Sequence, residues 1–358
     1  MADPTIQTFC CHHVNGSDMA LLVMKSLNTT AYNAITILSS TLGVLGALYQ
    51  ILPREQYVYN HKWISITAIR GRKIIVWLAF SDLLASLGVL VRASHWITYR
   101  SIMPCLNDKT SVLFCAICSA VAQYFYTSTW VWTICYTIDM KLLLLEKKSP
   151  RIYYHLAAWI IPIFLTTIGL GLLYIPNGEC HTRENVSFKI LPNFLVTYVP
   201  ITIVMIVNPI LYSLSTKDME TVIATISGQF TSKEREVMDA IKRKFFYINL
   251  AFVLCWAPNL INGVFIWSSW FHIPSKIIII LWYLMAVMNP LQALFNCIVY
   301  RRWTKGAEKI VKPWNCFKQL SFSRVHLIKS HSSSSLTTEE TLPLLENLPR
   351  TRVSYYSN

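Results

Sequence analysis

Seven blocks of apolar residues dominate this chain, at about 31–52, 74–97, 111–140, 152–174, 190–214, 245–267 and 276–300. Each approximates the roughly 20 residues that a helix needs to cross the hydrocarbon core of a bilayer. Lipid offers no hydrogen bonds to a bare backbone, so blocks like these must be helical. Only 14% of residues are charged and 54% are hydrophobic, against about 25% charge in a soluble domain. The expected fold is all-α: a polytopic membrane protein with a seven-transmembrane helix bundle over residues 31–300. Residues 1–30 form an N-terminal segment with no basic stretch leading into an apolar core. The first span is therefore expected to direct insertion.

Charge sets the orientation. The stretches 53–73, 141–151, 215–244 and 301–358 hold 25 Lys and Arg; those on the other side of the spans hold 6. By the positive-inside rule the N-terminus is extracellular or lumenal and the C-terminus cytosolic. The net charge of +14 thus reflects topology and the anionic inner leaflet, and no nucleic-acid partner is expected. Three N-x-S/T acceptors, Asn15, Asn28 and Asn185, fall on the non-cytosolic side. Asn15 and Asn185 are the expected glycosylation sites; Asn28 abuts the first span.

After the last span, basic residues interleave with Trp303, Ile310, Val311, Trp314 and Phe317. This pattern predicts an amphipathic interfacial helix over 301–320, with Cys316 as a palmitoylation candidate. Residues 321–358 turn serine-rich and read as a disordered cytosolic tail. Glu340 with Leu344 and Leu345 fits an acidic dileucine signal for clathrin adaptors. Ser332 to Ser335, Thr337 and Thr338 are candidate phosphorylation sites that would give the tail an anionic patch. TSKE at 231–234 is a capping-box pattern opening a helix that runs into the sixth span.

The spans carry a few costly residues. Arg92 and His95 are i, i+3 in the outer third of the second span and share a face. Intramembrane charge marks function by default; snorkelling of Arg92 to the interface is the plainer alternative. Gln123, Thr127 and Trp130 form one stripe on the third span, with Tyr126 beside it. They are candidate ligand contacts or ordinary packing. Asp82 lies mid-membrane, about 15 Å along the helix from Arg92. It is expected to face the bundle with Asn289 and water, protonated or holding a cation. Cys115 lies near the outer end of the third span and Cys180 in the following outer loop; a disulfide between them would pin that loop over the bundle. The partners of Cys10, Cys11 and Cys105 are left open.

Several fragments resemble rhodopsin-type G-protein-coupled receptors: LAFSD at 78–82, CWAP at 255–258 and Asn289-Pro290. So does the 24-residue spacing from Cys115 to Asp139. In that comparison Asp82, Asp139, Lys141, Trp256, Pro258, Asn259, Asn289 and Pro290 are switch or hinge positions. Met140 stands where those receptors carry arginine and is followed by Lys141, so an arginine lock in that form is absent. Gln292 resembles the seventh helix of cAMP-receptor and secretin-like families.

A closer resemblance is collinear. LVRASHW at 90–96, CYTID at 135–139, VNPILYS at 207–213, KRKFFYINLAFVLCWAPNLIN at 242–262 and MNPLQALFNCIVY at 288–300 are similar to the ocular albinism type 1 receptor family. The likeness covers about residues 5–305. It implies a G-protein-coupled receptor of melanosomes, late endosomes or lysosomes, and the plasma membrane. It further implies coupling to heterotrimeric G proteins and arrestin, and an aromatic amino-acid-like ligand of the L-DOPA, tyrosine or dopamine type. Lys242, Arg243 and Lys244, with Asp139 and Lys141, are the expected effector surface.

No cofactor, metal site or enzymatic activity is expected. A retinal Schiff base needs a buried lysine in the last span, and the only lysine there, Lys276, sits at its edge. Two other functions compete: a transporter using Asp82, Arg92 and Asp139 as a polar path, and a structural membrane protein.

Overall fold

A computed structural model of the chain describes Asp3 and residues 26–52, 62–99, 109–145, 147–174, 186–225, 232–268 and 275–302. Seven helices follow in order: α1 Thr29–Ile51, α2 Lys62–Tyr99, α3 Lys109–Leu144, α4 Arg151–Tyr174, α5 Val186–Thr225, α6 Ser232–Ser268 and α7 Ser275–Arg302. All seven are long and apolar enough to cross a membrane, and no strand occurs among the described residues. The spans belong to one compact unit, while residues 62–69 of α2 belong to a second. The expected interfacial helix over 301–320, apart from its first two residues at the end of α7, and the tail lie outside the described residues.

The helices satisfy their polar residues in ways lipid demands. Hydroxyls donate one turn back to backbone carbonyls: Thr36 to Tyr32, Ser40 to Thr36, Thr133 to Thr129, Thr197 to Asn193. Such bonds hide a hydroxyl in the helix's own backbone. Prolines lie inside α4 (Pro162), α5 (Pro192, Pro200, Pro209), α6 (Pro258) and α7 (Pro290). Each helix continues through them, as membrane helices with packed neighbours can. Asn28 caps α1, its side-chain oxygen accepting from the Ala31 amide at 3.1 Å.

Small residues set the closest approach in the bundle. On α1, a Cβ at Gly43 would strike the Pro290 carbonyl of α7, and one at Gly46 would come within 2.7 Å of the Leu294 Cα. The two backbones therefore meet as small-residue membrane interfaces do. Ser39 bridges them, donating to the Ala286 carbonyl at 2.6 Å. Outward positions such as Leu38, Leu45, Phe164 and Ile210 are exposed, as lipid-facing side chains of a span must be.

Helix α2 begins at Lys62, so much of the basic stretch read as a loop over 53–73 is helical. WISITAIRGRK has no proline, and its single Gly71 costs only about 1 kcal/mol of helix propensity. Charge ends the apolar block but not the helix. The helix opened by TSKE does run into the sixth span, as α6.

Candidate functional site

Polar side chains gather along the bundle axis in three tiers. The first lies in the half where α1 and α7 begin. Here Asp3, fully buried, is held by two helices. Asn259 and Asn262 of α6 donate their amide nitrogens to its two carboxylate oxygens at 3.1 and 3.3 Å, and the Tyr198 hydroxyl of α5 donates at 3.3 Å. Asn259 and Asn262 share a helix face by their i, i+3 spacing. Tyr198 reaches them because its ring lies against Gly263, where a Cβ would fall 2.8 Å from the ring. Tyr32 of α1 lies within electrostatic range of both Arg92 and Asp3.

Arg92 is buried, whereas His95 is only half-buried and packs its ring on Phe114 of α3, with centroids 4.2 Å apart. The stripe on α3 is fully enclosed. Gln123 donates to Thr197 of α5 at 3.2 Å and sits beside Thr127 at 3.4 Å. Tyr126 and Trp130 both meet Trp256 edge-on, at 5.1 and 4.9 Å. The six candidate contacts thus divide: Gln123 reaches α5 and Thr127 bonds back to Gln123, Tyr126 and Trp130 meet Trp256 of α6, and Arg92 and His95 lie on α2. Cys115 is buried and disulfide-bonded. Its expected partner Cys180 lies outside the described residues.

The second tier is mid-membrane. The Trp256 indole N–H donates to the Gln292 side-chain oxygen of α7 at 2.6 Å. Below it, Asp82 accepts from Thr129 of α3 at 3.0 Å and from Asn296 of α7 at 3.3 Å. The acid does face the bundle, but its amide partner is Asn296 rather than Asn289. Asn289 is buried with no hydrogen bond from its side chain to any described residue. The two asparagines lie about two helical turns apart on one face, so sequence alone does not say which one points at Asp82.

The third tier lies at the opposite end. Arg70 of α2 forks onto Asp139 of α3, Nη2 to Oδ1 at 2.8 Å and Nε to Oδ2 at 3.3 Å. Its remaining nitrogen donates to the Lys147 carbonyl at 2.9 Å. The Tyr154 hydroxyl of α4 adds a contact to Asp139 at 3.4 Å. Met140 is buried in the apolar cluster that also holds Ile74, Leu78, Leu143 and Phe245, while Lys141 is half-buried. So Asp139 does have an arginine partner, supplied by α2 rather than by the neighbouring position on α3.

Sequence reasoning singled out Asn259, Trp256, Asp82 and Asp139 but missed Asp3, Arg70, Tyr198, Asn262 and Asn296. Asn15, Asn185, Cys316, Glu340, Leu344 and Leu345 lie outside the described residues.

A bundle of seven spanning helices with a buried polar axis defines a seven-helix membrane protein. Squid rhodopsin has the same architecture, with a TM-score of 0.55 over 77% of this chain and 83% of that one, at 12% identity. The model of the ocular albinism type 1 protein family matches residues 1–341, and the chain belongs to that family. It is 26% identical to the Homo sapiens protein "G-protein coupled receptor 143" over 85% of this chain and 78% of that one. It is also 24% identical to the Dictyostelium discoideum "Cyclic AMP receptor-like protein A", over 80% and 67% of the two chains.

Proposed function

We propose that this chain is a G-protein-coupled receptor that senses a small aromatic amino-acid-like ligand, such as L-DOPA, tyrosine or dopamine. It signals through heterotrimeric G proteins from melanosomal or endolysosomal membranes and the plasma membrane, with its N-terminus outside or lumenal and its C-terminus cytosolic. Arrestin and clathrin adaptors engage the phosphorylatable, dileucine-bearing tail. The observation that carries this reading is the Arg70–Asp139 fork between α2 and α3. A charge pair joining helices at one end of a bundle, with buried polar contacts between α6 and the other helices further in, gives a two-state element that a ligand can bias.

The test is to express the chain with Leu344→Ala and Leu345→Ala and measure G-protein dissociation with L-DOPA, dopamine and tyrosine. Ligand-dependent dissociation at verified surface abundance supports the receptor. Solute or ion flux without it supports a transporter.

A further inference from the structure

A carboxylate with no exposure to water is costly unless several donors compensate it. Asp3 has three such donors converging from two helices: the amide nitrogens of Asn259 and Asn262, and the Tyr198 hydroxyl. All three are neutral, and all three are built into the bundle. Asn259 and Asn262 are fully buried on α6, and Tyr198 is held against the Gly263 backbone. Removing Asp3 takes one hydrogen bond from each of the two amides and from the hydroxyl inside the bundle. Asp3 is 195 or more residues distant in sequence from each of them, so no local helix geometry explains the meeting.

We propose that Tyr198, Asn259 and Asn262 form a carboxylate-binding subsite, filled by the chain's own Asp3 and able to take the carboxylate of a free amino acid in its place. This deepens the receptor reading and rests on it for the amino-acid class. The two sources present the same group to the same donors. An amino acid brings a carboxylate on a short stem, as the Asp3 side chain does. A decarboxylated amine brings nothing these donors can bond as an anion. Arg92, near enough to influence Tyr32 as Asp3 does, adds positive potential on that side of the bundle. Tethering makes Asp3 a local competitor at an effective concentration on the order of millimolar, so a free ligand binds the site only after displacing it.

The test uses the purified full-length chain in lipid nanodiscs and reads binding rather than signalling. Thermal unfolding is compared for the native chain, Asp3→Ala, Asn262→Asp and Asn262→Asp combined with Asp3→Asn, each with L-tyrosine, L-DOPA, tyramine and dopamine. Asn262→Asp sets carboxylate against carboxylate and lowers the midpoint; adding Asp3→Asn exchanges the two groups and restores it. In Asp3→Ala, where residue 3 offers the three donors no side-chain acceptor, L-tyrosine and L-DOPA raise the midpoint by about 2 °C or more. The amines do not, and half-saturation falls about tenfold below that of the native chain. Recovery on exchange without any amino-acid effect overturns the proposal that a free amino acid takes the place of Asp3. An amino-acid effect equal in the native chain and Asp3→Ala, with no recovery on exchange, overturns Asp3 as the occupant that a ligand must displace. No recovery, with amino acids and amines alike in effect or both inert, overturns the proposal. Because nothing here depends on a G protein, a silent receptor with an intact subsite and a signalling receptor without one are distinguishable.

Discussion

Arg70 of α2 and Asp139 of α3 form a forked ion pair at 2.8 and 3.3 Å, with the carboxylate side chain only 2% exposed and the arginine 11%. A planar guanidinium meets a carboxylate through two parallel bonds more rigidly than a lysine can. The pair joins two helices whose neighbouring position, Met140, is buried in apolar contacts. It therefore holds this end of the bundle in one arrangement.

Arg70→Gln removes the fork while preserving a donor. If the pair favours the resting arrangement by about 1 kcal/mol, its loss raises the active fraction about fivefold. Ligand-free G-protein dissociation at matched surface abundance should rise several-fold. The exchanged pair, Arg70→Asp with Asp139→Arg, should return it toward the native level. An unchanged basal signal in Arg70→Gln would remove the pair from the switch.

The Trp256–Gln292 bond predicts an asymmetric pair of variants. Gln292→Leu leaves a fully buried indole N–H without its acceptor, a loss of about 1–3 kcal/mol. Adding Trp256→Phe removes the orphaned donor and should recover part of that loss. Thermal unfolding of the purified chain checks the sign: the double variant should melt above Gln292→Leu alone.

Close packing of α1 on α7 predicts a sharp size limit. Gly46→Leu places a side chain where even a Cβ lies 2.7 Å from the Leu294 Cα. The backbones must separate, losing contacts worth several kcal/mol by the usual overpacking scale of about 1–3 kcal/mol per intrusion and more for a bulky one. Gly171→Ala, with nothing within 4 Å of its Cβ, is the control. Monodisperse yield on size-exclusion chromatography should collapse for the first and hold for the second.

The seven spans were legible because each apolar block matches the thickness of a bilayer, and the membrane-crossing part of each helix lies close to its block. Helix extension outside the bilayer was not, since charge hides the continuity of α2 through Arg70. That same basic stretch, read only as topology, concealed the partner of Asp139. Asn259 stood out as a polar residue beside Pro258, but its partner could not be read. Asp3 lies 256 residues away, and neither spacing nor periodicity reports contacts of that range. Tyr198 and Asn262 carried no signal beyond one aromatic and one amide in apolar surroundings.

The most direct test of the receptor account is G-protein dissociation by the purified chain reconstituted with a heterotrimer in lipid vesicles. The native chain and Arg92→Ala are each titrated with L-DOPA, tyrosine and dopamine. The account predicts ligand-dependent dissociation by the native chain and at least a tenfold weaker response from Arg92→Ala, about 1.4 kcal/mol of lost ligand interaction. Folded native chain that promotes no dissociation, basal or stimulated, with any of the three ligands would contradict it.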